Sequence, residues 1–478
     1  MSAAALHIER LPEGTRRKMT VLATDPMPDD SLLARLDTLA ALPWVESVLA
    51  LPDLHQKAKA EIPSSLALTT LDAIVPEFTS VAVNDGMGVV LTELEAKDVT
   101  PDRALAFFRH MNEHAARHIL DANRYSLSGA QMRRAALEGG PAGTEFYGHA
   151  PALSDRMEWS GRMQVPDGGD PWHDLVPALL KMTALGRCEM GLNFGGNHFL
   201  EMQVVDQASD PARAAEWGLT QNRVAVMYHL GPGPFGSILL HHFSRRKSLK
   251  GPRAPLYFLS KLLHHYASGR RPGSLTRRWD LHFRQNGWTP FSPASEEGVR
   301  LRQAIAMAMN FGFVYRMATI AAIRDSLHAA FGTPVGVELM CDIAHNSVVE
   351  EPWGEGTAWV ARHNACRVAP SAPAIVAGSY DVPSYIGIGA IDGAPELHSY
   401  DHGAGNVIDT WRAAGRLQAT YRTTQRVRLE RGRNGAVRAR ETLPVRTAAP
   451  VEQLMDILDR NHIVHPVARL RPIATLKN

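Results

Sequence analysis

Residues 298–331 carry the longest helical pattern in the chain, rich in alanine and methionine, and segments of opposite character flank it on both sides. Residues 46–94 are strand-rich and broken by Pro and Gly. From 336 to 410, short apolar strands alternate with Gly and Pro turns. Shorter helices are predicted at 31–41, with Asp29, Asp30 and Ser31 as candidate caps, and at 102–121 and 174–186. Val224 to Met227 reads as a buried strand ending at Tyr228 and His229, followed by a Gly-Pro-Gly-Pro loop. Residues 422–447 read as an Arg-rich hairpin around Asn434-Gly435, a strong turn signal. There is no internal repeat and no long linker. The order of elements is neither regular βαβ alternation nor a sandwich, so the expectation is α+β, in one large domain over 1–478.

An apolar fraction of 45% and a charged fraction of 21% suit a globular chain able to bury a large core. The net charge of +2 selects no partner. Its distribution says more: ten Lys or Arg and no acid fall between His241 and Arg278, within a basic insertion at 241–296. Such asymmetry attracts phosphates without reading sequence, and it also suits a solvated helical face. The hairpin arginines (Arg426, Arg428, Arg431, Arg433, Arg438 and Arg440) add to it, partly neutralised by Glu430 and Glu441. Cys188, Cys341 and Cys366 are scattered, with no paired spacing for zinc or disulfides, which fits a reducing compartment. The first residues lack an apolar leader core, and no run approaches a membrane-spanning length. A cytoplasmic protein with no membrane partner is expected.

The densest chemistry lies in Gly195-Gly196-Asn197-His198-Phe199-Leu200-Glu201. An amide, an imidazole and a carboxylate fall within five residues, behind glycines that allow close backbone approach. Converging on one pocket, they offer a neutral donor, a metal ligand or nucleophile, and an acceptor; a satisfied core histidine beside a turn is the plainer reading. Further histidines stand at strand-to-loop junctions: His55 in Pro52-Asp53-Leu54-His55, His229 before Leu230-Gly231, His345 before Asn346, and His402 before Gly403-Ala404-Gly405. Neutral imidazoles suit Mn, Zn, Fe and Ni, and a lone histidine can attack phosphorus.

These motifs, together with Arg469-Leu470-Arg471-Pro472-Ile473 and Lys477, and with Ala377-Gly378-Ser379 and Ser384-Tyr385, resemble the RtcB family in the same order over roughly residues 45–478. Those proteins are GTP- and manganese-dependent RNA ligases of tRNA splicing and RNA repair. They join a 3′-phosphate or 2′,3′-cyclic phosphate end to a 5′-hydroxyl. The resemblance implies a domain of layered mixed sheets with peripheral helices, and broken or intron-excised RNA ends as partners. It implies that His402 attacks the α-phosphate of GTP through Nε, that Asn197 contacts the nucleotide phosphate, and that Glu201 and Lys477 hold the guanosine. Ser379, Ser384, Ala404 and Gly405 would line that pocket, and His198, His229 and His345 would ligate Mn²⁺.

The chain departs from the family at a metal-site segment, Asp-x-x-Cys-Gly, whose thiolate bridges two manganese ions. Here Val83-Asn84-Asp85-Gly86-Met87-Gly88-Val89 puts Asn84 at the aspartate and Met87 at the cysteine. A thioether is a weak ligand for a hard cation and cannot replace an anionic bridge. Asp85 supplies a carboxylate after a one-residue shift, or serves as a turn residue. Family arginines are also missing at Val90, at the Gly-Pro-Gly-Pro segment and at Asn406. Lys57, Lys59, Arg362 and Arg367 are the candidate replacements. Two other readings therefore stay open: a nucleotidyltransferase acting on another phosphorylated acceptor, and a catalytically silent homologue that binds RNA or nucleotide.

Overall fold

The long helical pattern folds as one continuous helix, Glu296–Phe331. Its start is fixed by Ser295, whose hydroxyl accepts from the Gly298 amide, and its end by Gly332 in the left-handed region. Alanine, methionine and aromatic residues on all sides of it are buried, as expected of a helix apolar all round. It is long and apolar enough to cross a bilayer, contrary to the expectation from sequence, yet its apolar window is wholly buried inside the protein. Helices Pro101–Glu113, Gly129–Glu138, Gly140–Tyr147 and Gly233–His241 pack around it. The computed structural model describes residues 18–477 apart from 23, 25–26, 58–59, 116–120, 183–186, 189, 193, 245–253, 268–271, 284–287, 394–397 and 431–435.

Against this helical layer lies a nine-stranded sheet. Its main path runs Pro373–Val376, Ser384–Gly389, Val464–Leu476, Phe199–Ala208, Arg223–Leu230, Gly86–Glu95 and Val337–Ala344, all antiparallel neighbours. The hairpin Ala419–Leu429 with Val437–Arg446 joins it beside Val464–Leu476. A five-stranded sheet, including Val45–His55, Ser64–Thr70 and Gly356–His363, lies alongside. The expectation of α+β architecture is met.

Strand parity divides the central sheet between two cores. Val90, Leu200, Met202, Val224, Val226 and Tyr228 belong to the core on the long-helix side. Met87, Val89, Ala225 and Met227 belong to the core on the other face, with the helix Ala449–Arg460 and the strands near His402. His229 follows the odd-numbered residues of its strand, and Asp85 those of the strand it precedes, so both emerge on that second face.

Three local expectations need correction. The pattern at 174–186 breaks at Pro177, which lacks an amide and separates Pro171–Leu175 from Ala178–Met182; residues 183–186 lie outside the described residues. Gly-Pro-Gly-Pro is not a plain loop, because Pro234 stands in the first turn of the helix Gly233–His241, where a missing amide costs nothing. The two insertion bases whose side chains are described turn inward. Lys261 donates to the Ser244 carbonyl, and Arg278 pairs with Glu297 at 2.6 Å. The side chains of the other insertion bases, and the Asn434-Gly435 turn, lie outside what is described.

The insertion helices Ala254–Ala267 and Pro272–His282 gather buried histidines. His265 and His282 stack at 3.7 Å beside Phe243, Phe291 and Glu297. Burial pushes His242 and His282 down to about 4, with Lys261 adding to the effect and the Ile238 carbonyl and Glu297 opposing it respectively. Arg278 and Arg300 also surround Glu297. An unfolded chain takes up these protons near pH 6.5 while the folded one does not until about pH 4, so each histidine contributes stability above 6.5 that is lost as pH falls. Glu158, Glu201 and Asp401, raised to about 7 by burial, act in the opposite sense. The clean measure is therefore the difference between wild type and His282→Phe in urea unfolding. That difference should shift against wild type by roughly 1.4 kcal/mol per pH unit from pH 6.5 to 5; parallel profiles would refute the assignment.

Candidate functional site

The turn Asn84-Asp85 enters the strand Gly86–Glu95 with Asn84 at φ 63°, a conformation asparagine tolerates. Asn84 faces the long helix. Its side chain donates to the Met309 carbonyl at 2.6 Å, and Arg316 donates to its side-chain oxygen at 3.0 Å. Asp85 therefore turns the other way, toward three histidines. Its carboxylate lies 3.5 Å from His198 Nε2, 3.6 Å from His345 Nε2 and 3.9 Å from His229 Nε2. The Nε2 atoms of His229 and His345 are 3.3 Å apart. The four residues named from the sequence as metal ligands are thus brought together, with Asp85 rather than Asn84 supplying the acid.

These side chains come from separate elements: His198 just before Phe199–Ala208, His229 in Arg223–Leu230, and His345 just after Val337–Ala344. The His345 amide donates to the Asp85 carbonyl at 2.8 Å, which ties the last of these to the turn. Burial opposes the Asp85 charge, but His198 and His345 outweigh it and hold the carboxyl well below its usual range. Burial, then the neighbouring His345, holds His229 well below the usual histidine range. A buried carboxylate facing three imidazoles, with Asp85 Oδ1 lacking a hydrogen-bond partner among the described residues, is a donor set that fits a divalent cation. Met87 pairs with His229 across the strands and shares its face, so an uncharged thioether occupies the floor of this cluster. Among the described residues, His265, His282 and Glu297 are also close enough to share an ion, but Glu297 is already engaged by Arg278.

His402 borders the cluster, its ring stacked on His345 at 4.5 Å. Its Nδ1 is 3.0 Å from the Asn364 carbonyl, and a carbonyl can only accept, so Nδ1 carries the proton and Nε2 presents a lone pair. Asn364 is held for this at φ 52° by its own bonds to Ser64 and Asn346. Burial, then His345 and Lys57, keeps His402 well below the usual range and therefore neutral. Gly403 is required where it stands, since a Cβ there would lie 2.9 Å from the Ala377 carbonyl. That backbone contact, and not room for a ligand, is what this glycine provides; Gly405 faces open space.

His402, with a ring nitrogen within 4.8 Å of those of His229 and His345, lines a cavity of about 390 Å³ together with His55, Asn197, Glu201, Ser379, Ser384, Gly405 and Lys477 among others. Ala404 is buried behind its wall, its amide donating to Ala377. Asn197 is exposed at the mouth, in the turn formed by Gly196 at φ 73°. Glu201 lies at the back, receiving 2.6 and 2.5 Å bonds from Gln203 and Thr475, and burial pushes it up to about 7. Ser384 accepts from the Gly378 amide and from Gln203, while Ser379 donates to Asp381. Burial, then Arg426, lowers Lys477.

Several lining residues carry no motif of their own: Tyr380, Asp409, Arg412 and Thr475 reach the cavity only through the fold. Tyr380 lies between two guanidinium groups, Arg426 at 4.3 Å and Arg412 at 5.6 Å from its ring centre. Arg412 is held bidentately by Asp381. Of the replacement cations expected from sequence, Lys57 reaches the cavity on the His402 side and Lys59 lies outside the described residues. Arg362 is buried in a paired fork with Glu351, and Arg367 approaches the same carboxylate, so neither serves the cavity.

The RtcB family model, described as tRNA-splicing ligase RtcB, matches residues 35–478. The tRNA-splicing ligase RtcB of Pyrobaculum aerophilum is 25% identical over 492 residues, covering 95% of this chain and 92% of that protein. The RNA-splicing ligase RtcB of Mycobacterium tuberculosis is 24% identical over 92% of this chain and 99% of its own length. That of Pyrococcus abyssi is 29% identical over 82% of this chain, which spans only 42% of that relative. With the match running through the Asp85 turn, the Asn197–Glu201 motif, His402 and Lys477, the chain belongs to the RtcB family, as a divergent member.

Proposed function

We propose that this protein is an RNA ligase that joins 3′-phosphate or 2′,3′-cyclic phosphate ends to 5′-hydroxyl ends through a guanylylated His402, using GTP and Mn²⁺. The relatives' names, tRNA-splicing and RNA-splicing ligase, support the activity class. The observation that carries the mechanism is the Nδ1 contact of His402 with the Asn364 carbonyl, which leaves the Nε2 lone pair available on a ring that lines the cavity.

In the reaction, Nε2 attacks the α-phosphorus of GTP, the Nε2–P bond forms, the bond to the β-phosphate oxygen breaks and pyrophosphate leaves. The Asn364 carbonyl stabilises the imidazolium that develops, through the proton on Nδ1. Splitting the transfer this way divides one difficult step into easier ones. Glu201, fixed by Gln203 and Thr475, offers an acceptor matching the N–H edge of guanine, and Asn197 donates to phosphate oxygen. Asp85, His198, His229 and His345 would hold Mn²⁺, which when bound orients phosphate oxygens and neutralises their charge.

Met87 removes the anionic bridge, so one ion per chain is expected. Asp85→Ala should lower Mn²⁺ affinity by at least about 100-fold, since it removes the only anionic ligand of the set. Metal titration of purified protein decides this; two ions in wild type, or unchanged affinity in the variant, would contradict it. For the ligase itself, the test is joining of two short RNAs, one ending in a 3′-phosphate and one beginning with a 5′-hydroxyl. The missing family arginines and Met87 favour one second reading, a nucleotidyltransferase on another phosphorylated acceptor. A guanylylated enzyme that joins no RNA would establish it.

A further inference from the structure

We propose that the hairpin Ala419–Leu429 with Val437–Arg446 is a docking track for single-stranded RNA, with its backbone on arginine and a base stacked on Tyr421. This deepens the ligase reading and rests on it. Gln425, Arg426 and Val427 of the hairpin pair with the strand Val464–Leu476, opposite Ala474, Thr475 and Leu476. That register sets Arg426 beside the back wall of the cavity, where its guanidinium covers the cavity residue Tyr380 at 4.3 Å. The hairpin is therefore continuous with the site.

Over its two faces the hairpin carries a cationic excess that suits a phosphate-rich partner. The two strands carry Arg422, Arg426, Arg428, Arg438, Arg440 and Arg446 against one acid, Glu441. Arg440 is spent on Asp102, and Arg446 on the Leu417 carbonyl and Asp381. Arg422, Arg428 and Arg438 make no ion pair among the described residues, which leaves their charge for a ligand. Tyr421 is 86% exposed, with the Arg422 guanidinium 4.8 Å from its ring centre. A bare aromatic beside one unpaired guanidinium, on a hairpin that carries two more toward its other end, is a combination that holds single-stranded nucleic acid, because every base has a stacking face and every nucleotide a phosphate. The inward-turned Lys261 and Arg278 of the insertion offer no comparable surface.

The test uses the full chain and a labelled RNA of about 20 nucleotides, with binding followed against KCl concentration and, separately, label transfer from GTP to the protein. Arg422→Gln with Arg438→Gln should weaken binding of every sequence and reduce the salt slope by about 1.4, two single-strand phosphate contacts. Tyr421→Ala should weaken binding about 10-fold with the slope unchanged. Both variants should take guanylate from GTP at the wild-type rate, which also reports an intact fold. Wild-type binding that persists unchanged in both variants would overturn the track while leaving the ligase reading standing. Poly-glutamate competing as well as RNA would overturn it too, assigning the face to an acidic protein. A wild type that takes up no guanylate and binds no RNA would remove the ligase reading itself.

Discussion

Replacing His402 with alanine is expected to abolish covalent uptake of label from α-labelled GTP, with a loss on the order of 10⁵-fold or to below detection. The size follows from what the residue supplies. In the proposed mechanism its Nε2 is the nucleophile, on a ring that lines the cavity and is fixed through the opposite nitrogen by the Asn364 carbonyl. A glutamine could keep part of the ring's polarity but has no comparable lone pair, so His402→Gln should fall equally far. The stacked neighbour His345 cannot substitute, because its Nε2 is turned to Asp85 and His229. Label should resist base and be released by acid, as a phosphoramidate is and a phosphoester is not. Full labelling of His402→Ala would remove the mechanism, whatever happened to RNA joining.

Arg316→Met should cost about 3–5 kcal/mol of stability, the second large effect. Arg316 and Asp342 are completely buried and bonded through two nitrogens at 2.6 and 2.7 Å, with Tyr228 donating to the same carboxylate at 2.6 Å. Arg316 also holds the Asn84 carbonyl and side chain. Methionine fills similar space but leaves Asp342 charged and nearly alone in an apolar core. Urea unfolding at pH 7 measures the loss; one below about 1 kcal/mol would mean the pair is not an isolated buried charge. Because the same guanidinium sets the turn preceding Asp85, Mn²⁺ affinity should fall as well. Adding Asp342→Leu to Arg316→Met should recover part of the stability, since the uncompensated charge is then gone, but not the metal affinity.

Much of the site was legible from sequence because its residues sit in short, chemically dense motifs at strand ends. Asn197, His198 and Glu201 needed only the turn at Gly196 and a strand to place the first and last on one cavity and His198 against Asp85 beside it. The misjudged segments shared a different cause. Pro177 ended a helix whose apolar pattern continued, and the Gly-Pro-Gly-Pro segment opened one, since local backbone rules prevail over periodicity. The charge of Lys261 and Arg278 suited either a phosphate-rich partner or a solvated face, yet packing drew both inward.

What the sequence by itself determined was membership and inventory: the order of motifs, the histidines at strand ends, and a methionine at position 87 where the resemblance expects cysteine. Tertiary structure alone decided which of Asn84 and Asp85 faces the histidines. Arg316, 232 residues away, captures Asn84 and so turns Asp85 into the cluster. It also decided that Arg362 serves Glu351 while Arg422 and Arg438 of the hairpin stay exposed. The reason is physical: a motif specifies which groups are available, but the partner that neutralises each buried charge is chosen by packing between distant segments, and no local pattern records it.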